Sequence, residues 1–182
     1  QASVHFRTAD PAAIPHYERE IIPNKYRTVK LDLETIKSEL KQAPMRGQFQ
    51  QRSQMKPFSI PMPDGTTQRF LIYESPVMAP GLAAKYPQIK TYGGFGVDAP
   101  HATIRLGWGE DGFNAMILME GETVFIDPYQ KNDQEHYVVY YKKDYGAANK
   151  AHHFGCLLDD DNHNHNSHQR PTDRPSLKIE GE

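Results

Sequence analysis

The sequence has little sulfur, little net charge and no long apolar run, and each shortage argues against a class of protein. Its 182 residues include one cysteine, Cys156, so no disulfide can form within the chain. Lysine and arginine number 21 against 23 aspartates and glutamates, and this net charge of −2 argues against a nucleic-acid or anionic-membrane surface. No apolar run approaches the roughly 18 residues of a membrane-spanning helix.

The start of the chain has neither an initiator methionine nor a basic and apolar leader. Gln1 is followed by mixed polar sequence. Two explanations stay open, namely removal of a signal peptide from a secreted or cell-surface protein, or a trimmed boundary. A lone thiol is unusual in an exported protein and common in a cytosolic one, so Cys156 does not decide between them.

Apolar residues concentrate in the middle of the chain. They make up 37% of the whole, below the usual share for a compact globule, and both flanks are poor in them. We therefore expect three parts: an irregular N-terminal arm over residues 1–25, a folded domain over residues 26–145, and a polar His- and Asp-rich linker or tail over residues 146–182.

The central region shows the periodicity of strands more than that of helices. Asp32 is placed to cap a helix that ends before Pro44, and a second short helix is expected at residues 80–86. Strands are predicted at residues 26–31, 58–62, 69–73, 102–108, 113–119, 123–126 and 136–142. About seven locally connected strands with two short helices predict an α+β fold built on a mainly antiparallel sheet, with a β-sandwich as the alternative.

Two stretches of this region invite more specific predictions. Residues 113–119 are apolar on both faces, which is typical of a strand in the centre of a sheet. Gly93, Gly94 and Gly96 lie close together without a following helix or a Lys-Ser/Thr pair, so a phosphate-binding loop is excluded. We expect these glycines to form a tight loop.

The tail contains a run of possible metal ligands. Imidazole and carboxylate groups suit zinc, but a stable site needs ligands held by folded elements. We expect at most weak metal binding in this solvated segment, and no metal or cofactor in the folded domain. The candidate ligands are His152, His153, His163, His165 and His168, near Asp159, Asp160 and Asp161.

Five strings of the central region form a recognisable combination. It resembles the N-terminal pro-region of secreted bacterial reprolysin-like zinc metalloproteases, a group of metzincins, over residues 26–145. The strings are Tyr73-Glu74-Ser75-Pro76-Val77-Met78, Lys90-Thr91-Tyr92, Ala115-Met116-Ile117-Leu118, Ile126-Asp127-Pro128-Tyr129 and Tyr140-Tyr141-Lys142-Lys143-Asp144-Tyr145.

The resemblance implies a propeptide rather than an enzyme. In that family the pro-region precedes a catalytic domain whose zinc is held by three histidines, and it acts in cis as latency inhibitor and folding aid. The present chain contains no His-Glu-x-x-His, the helical pair of zinc ligands with its general base, so no catalytic residue is assigned to it. Zinc is expected only in the downstream domain.

Cys156 acquires a possible role from the same resemblance. Some metzincin pro-regions use a cysteine switch, in which a thiolate takes the coordination position that catalytic zinc keeps for water. The string at residues 153–159 departs from the better-known switches, which place glycine directly after the cysteine. A free linker thiol stays open as the alternative, and one carboxylate of residues 159–161 is the runner-up ligand.

Two other functions stay open. The aromatic residues of the central region would suit a non-catalytic β-rich cell-surface binding or adhesion module, although ordinary sheet packing also explains them. A small hydrolase of unfamiliar type is the third possibility, but Ser75 lies in no Gly-x-Ser-x-Gly elbow.

Overall fold

Nine antiparallel strands form the framework of the residues that this computed structural model describes, which are 5–15, 18–48, 52, 55–109, 112–131 and 133–146. The helices are α1 (Leu33–Leu40) and α2 (Pro80–Lys85), and two single 3-10 turns lie at Pro11–Ala13 and Lys142–Asp144. The strands are β1 (Phe6–Thr8), β2 (Arg27–Leu31), β3 (Pro57–Pro61), β4 (Thr67–Glu74), β5 (Lys90–Gly96), β6 (Thr103–Gly109), β7 (Gly112–Met119), β8 (Glu122–Pro128) and β9 (His136–Tyr141).

All nine strands belong to one sheet, in the order β1-β2-β9-β8-β7-β6-β5-β4-β3. From β3 to β9 each strand pairs with the next along the chain, and β2 lies on the far side of β9. The two edges approach each other, because the His5 ring stacks on Phe58 of β3 at a centroid distance of 5.2 Å. The sheet therefore curls around its inner face.

The inner face encloses the main hydrophobic core. Every strand contributes buried side chains to it, among them Phe70 of β4, Phe113 of β7 and Tyr137 of β9. Helix α1 adds Ile36 and Leu40. This arrangement follows from the two-residue period of the strands, which sends alternate apolar side chains to one face.

Local sequence sets the ends of several elements as expected. The Asp32 carboxylate accepts hydrogen bonds from the Thr35 backbone N–H at 3.1 Å and its hydroxyl at 2.7 Å, which caps α1 and lowers the pKa of Asp32. Gly65 (φ 93°) and Gly121 (φ 76°) turn the chain in the β3–β4 and β7–β8 hairpins. Positive φ values favour glycine, because it lacks a Cβ.

The structure confirms a mainly antiparallel β fold with few short helices, but the prediction of about seven strands is wrong. Two strands were missed, β1 and β5. The nine strands form one hydrogen-bonded sheet across the described residues, so the β-sandwich alternative is not what the structure shows. Strand β1 lies within residues 1–25, where an irregular arm was predicted, and its three residues pair with β2.

The glycines of β5 are strand residues, which corrects the tight loop predicted for them. A Cβ on Gly93 would lie 2.7 Å from the Tyr73 ring, and one on Gly94 would lie 2.6 Å from Ile72 Cδ1. Neighbouring side chains of the sheet therefore fill the space that side chains of β5 would occupy. Without those side chains the strand has no hydrophobic alternation, so periodicity could not reveal it.

The predicted linker or tail lies almost wholly outside the described residues. The chain divides by its contacts into residues 1–152, which contain every element given above, and residues 153–182, which lie beyond the described part. Among the described residues, no helix combines the length and apolar character needed to cross a membrane.

Candidate functional site

One half of the outer sheet face is covered by the chain's own N-terminal arm. Residues 9–15 and 18–25 lie along the outer side of β9 and the strands beside it, and they bring apolar side chains onto the sheet. The resulting second hydrophobic cluster consists of Ile14, Tyr129, Val138 and Tyr140, with Ile21, Tyr26 and Phe125 packed against it.

The side chain of Arg19 helps to hold the N-terminal arm against the sheet. The Arg19 guanidinium lies over the Tyr129 ring at 4.1 Å and over the Tyr26 ring at 5.0 Å. Its Nε also donates to the Tyr129 carbonyl oxygen at 3.2 Å. Cation–π contacts of this kind are worth about 0.5–1 kcal/mol each at partly exposed positions, so the arm is held by more than apolar contact.

The other half of the outer face carries no such cover over β6 and β7 among the described residues, although on β5 the Arg52 guanidinium lies over the Phe95 ring at 4.7 Å. Alternation sends Arg105, Asn114, Met116 and Leu118 outward from β6 and β7. Leu118 is 46% exposed, and Val77, which lies before α2, is 77% exposed. This open half therefore presents apolar side chains to solvent from the centre of the sheet.

A groove of about 700 Å³ runs across this open half. Gly107 forms part of its floor, between Thr91 of β5 and Asn114 of β7, which pair with it on either side. A Cβ at Gly107 would lie 2.6 Å from the Lys90 carbonyl oxygen. Glycine is therefore the residue that lets β5 approach β6 here and keeps the floor low.

Arginine side chains line one end of the groove. Arg105 Nη1 donates to Ser75 Oγ at 3.3 Å, and the guanidinium lies above Gly93, where a Cβ would come within 2.8 Å of Nη1. Glu74 is already paired with Lys90, at 2.6 Å between Nζ and Oε1. Among the described residues no carboxylate pairs with Arg105, which leaves this end electropositive together with the exposed Arg46.

A carboxylate lies at the opposite end. Asp127 Oδ1 accepts from Asn114 Nδ2 at 2.9 Å, and Asp127 Oδ2 accepts from the Tyr140 hydroxyl at 2.8 Å. Burial of Tyr140, together with the nearby Asp127 charge and this hydrogen bond, raises the pKa of the Tyr140 phenol far above its ordinary value. Tyr140 therefore stays a neutral donor that fixes the carboxylate, and Asp127 links the covered half to the groove.

The end of the described chain lies close to this point. After β9 the 3-10 turn Lys142–Asp144 leads to Tyr145, whose ring stacks on Tyr140 with centroids 6.0 Å apart. The chain thus leaves the sheet on its outer side, beside the anionic end of the groove.

The five strings that carry the family resemblance converge on the groove. They are spread over residues 73–145, yet four of them place side chains or backbone in its lining: Ser75, Pro76 and Val77 from the first, Thr91 and Tyr92 from the second, Ala115 and Met116 from the third, and Asp127 from the fourth. The fifth string supplies Tyr140, which donates to Asp127. Strand pairing alone brings these separated strings together.

The candidate site residues named from sequence lie elsewhere or act structurally. Cys156 and the five histidines at positions 152, 153, 163, 165 and 168 fall outside the described residues, as do residues 159–161. Within the described residues no group of three or more His, Cys, Asp or Glu side chains could hold a metal ion. Ser75 is buried, and its hydroxyl oxygen accepts a hydrogen bond from Arg105, so it helps to position the Arg105 side chain.

Sequence reasoning did not identify the groove, although one signal for it was present. The two-sided apolar character of residues 113–119 predicts a strand in the centre of a sheet, and it also fits an apolar face without a cover. Strand β7 is indeed the middle strand of the nine that the structure describes, yet its outward Met116 is half-buried and its Leu118 exposed. Apolar residues on an uncovered face indicate a partner surface.

Comparison with known proteins adds no family assignment. No family model matches this chain, and neither does a curated protein or a solved structure.

Proposed function

We propose that this chain is the propeptide domain of a secreted zinc metalloprotease precursor. It acts as latency inhibitor and folding aid for a catalytic domain that follows it in the same polypeptide. The observation that supports the proposal is that four of the five resemblance strings line one groove, while the fifth supplies Tyr140, which donates to Asp127 in that lining. Residues that serve only the folding of this domain would be expected to lie in its core. The resemblance strings also contribute residues to an outward-facing surface, which a partner domain could contact.

The division of labour within the chain follows from the position of its described end. The sheet is the docking body, and the segment over residues 145–160 is the inhibitory element. Extended peptides bind protease clefts by main-chain pairing with cleft strands, so a segment leaving an outer sheet face suits that mode. The Cys156 thiolate would occupy the zinc position otherwise held by water, and cleavage in the polar tail sequence would release the enzyme.

The decisive test is whether the gene encodes a zinc peptidase after Glu182. The catalytic domain encoded there would be produced alone and assayed on a peptide substrate with increasing amounts of the 182-residue chain. We expect inhibition, and a higher yield of active enzyme when the catalytic domain is refolded with the chain present. A frame without a zinc peptidase, or a peptidase that the chain neither inhibits nor helps to fold, contradicts the proposal and favours the binding module.

The thiol needs a separate variant. The inhibition constant of Cys156→Ala, measured beside the unaltered chain, reports whether the sulfur contributes. A weaker inhibitor would assign the cysteine switch, whereas an unchanged constant would leave blockage of the cleft by residues 145–160 as the mechanism.

A further inference from the structure

We propose that the outer-face groove binds an extended protein segment that places an acidic side chain on Arg105 and an apolar side chain on Met116 and Phe125. The identification of its occupant as a surface segment of the catalytic domain rests on the proposed function. The chemistry of the segment is inferred from the groove alone. The inference assigns a partner surface to this domain that is separate from its inhibitory segment.

The acidic group is inferred from the unpaired charge of Arg105. Its guanidinium has five N–H donors, of which one is used in the bond to Ser75 Oγ. That bond and the close floor at Gly93 hold the guanidinium in one place, so less entropy is lost when a carboxylate binds. Arg46 at the same end adds a second cation, in a chain whose net charge is negative.

The apolar residue is inferred from the middle of the groove. Met116 and Phe125 are cross-strand partners on β7 and β8, and both are only half-buried. Val77 stands on the opposite wall and is 77% exposed. A methionine side chain adapts to the shape of its partner, so this floor suits a branched aliphatic side chain.

The length and polarity of the segment follow from the strand spacing. Asp127 on β8 lies two strands from Arg105 on β6 and two residues beyond Phe125, the residue in line with Arg105, which places the two about 12 Å apart at roughly 4.8 Å per strand and 3.4 Å per residue. An extended segment projects every second side chain to one face, about 6.7 Å apart, so three alternate side chains span the groove. Asp127 accepts two hydrogen bonds and has lone pairs left for a donor, so a basic residue at the other end of the segment completes the match.

A designed peptide tests this inference on the full 182-residue chain without any protease. The probe is acetyl-Lys-Ala-Leu-Ala-Glu-amide, and the control peptide carries glutamine in place of glutamate. Binding is followed by NMR shifts of the backbone amides of Gly107 and Met116 and by the fluorescence of Trp108, which is the single tryptophan and lines the groove.

The matched chain variants are Arg105→Ala and Lys41→Ala. Lys41 is an exposed cation after α1 and does not line the groove. We expect Arg105→Ala to weaken the glutamate peptide about fivefold, as for an exposed ion pair, and to leave the glutamine peptide unchanged. Lys41→Ala should bind both peptides as the unaltered chain does.

Two outcomes would overturn the inference. One is a glutamate peptide that shifts no groove amide. The other is a peptide that binds Arg105→Ala as tightly as the unaltered chain while the spectrum of that variant shows an intact fold. Neither outcome bears on inhibition of a protease by residues 145–160, so failure here is distinguishable from failure of the proposed function.

Discussion

The two halves of the outer sheet face are built from similar strands, but the N-terminal arm packs on only one of them. Over β9 and its neighbours, Ile14 and Ile21 of the arm share a cluster with Val138, which is completely buried, and Tyr140, which is almost completely buried. Over β6 and β7, Met116 and Leu118 keep part of their surface in water. The covered half has become a second core, whereas the open half has apolar residues that do not stabilise this domain by burial.

This difference separates stability from binding within a single sheet. Burial of apolar surface is worth about 25 cal/mol per Å², and the covered half gains it within the chain. The open half does not gain it from any other described residue, so a partner segment could supply it. Asp127 belongs to both halves, because it accepts from Tyr140 on one side and borders the groove on the other. The predictions below test that separation, beginning with the largest effect.

The largest effect should appear at alkaline pH. Burial raises the pKa of Tyr137, on the inner face, to about 12, and it also raises that of Tyr140 under the arm. A phenol with a raised folded pKa stabilises the fold below about pH 10, its unfolded value, and this contribution is lost as pH rises toward the folded value. Raising the pH from about 10 to about 12 should therefore lower the free energy of unfolding by about 3 kcal/mol through Tyr137 alone.

Urea unfolding at stepped pH measures this loss, and Tyr140→Phe tests the cover. The difference in absorbance between the unaltered chain and Tyr140→Phe reports ionisation of Tyr140. If the arm keeps water away from this phenol, no tyrosinate should appear in that difference before the protein unfolds. The matched control is Tyr86→Phe, which removes a phenol that is 42% exposed. Ionisation of Tyr140 near pH 10 in the folded state would mean that the arm is loosely held.

The second prediction compares one aliphatic residue from the arm with one from the open half. Ile14 is 3% exposed and Leu118 is 46% exposed. Ile14→Ala should lower the free energy of unfolding by about 2 kcal/mol, because it opens a cavity in the second cluster. Leu118→Ala should change it by less than about 0.5 kcal/mol. If the two variants lose the same free energy of unfolding in urea, the covered half and the open half contribute equally to stability and the distinction between them fails.

The smallest effect should come from Asp127, where the two halves meet. Asp127→Ala leaves the buried Tyr140 hydroxyl without its acceptor, which should cost about 1–2 kcal/mol in urea unfolding. Asp127→Asn keeps an acceptor oxygen and should cost less, while removal of the negative charge should lower the pKa of Tyr140 toward its ordinary value. Equal losses in the two variants would show that the hydrogen bond contributes little.

The sequence predicts those parts of the fold whose cause is local. The cap at Asp32, the turns at Gly65 and Gly121, and the alternation in β6 are all readable from neighbouring residues. Strand β5 is not, because Gly93 and Gly94 are explained only by atoms of the neighbouring strands β4 and β6. Strand β1 is three residues long, which is too short for alternation to be visible.

The candidate site was beyond local reasoning for a related reason. The resemblance strings were visible in the sequence, but neither periodicity nor spacing says that Val77, Met116 and Asp127 line one groove. Their meeting depends on the register of β5 to β8, whose successive antiparallel pairings bring together residues as far apart along the chain as Val77 and Asp127. Local preference cannot encode that register, because each pairing depends on the strand beside it.

By itself the sequence determined the β-rich class, the capped helix, two hairpin turns, the absence of a disulfide and the lack of a zinc-peptidase motif. These follow from side chains acting on their own neighbourhood. Only the tertiary structure decided which apolar residues are buried and which stay open. That choice depends on the N-terminal arm, which covers one half of the outer face, whereas no described segment covers the other half in the same way.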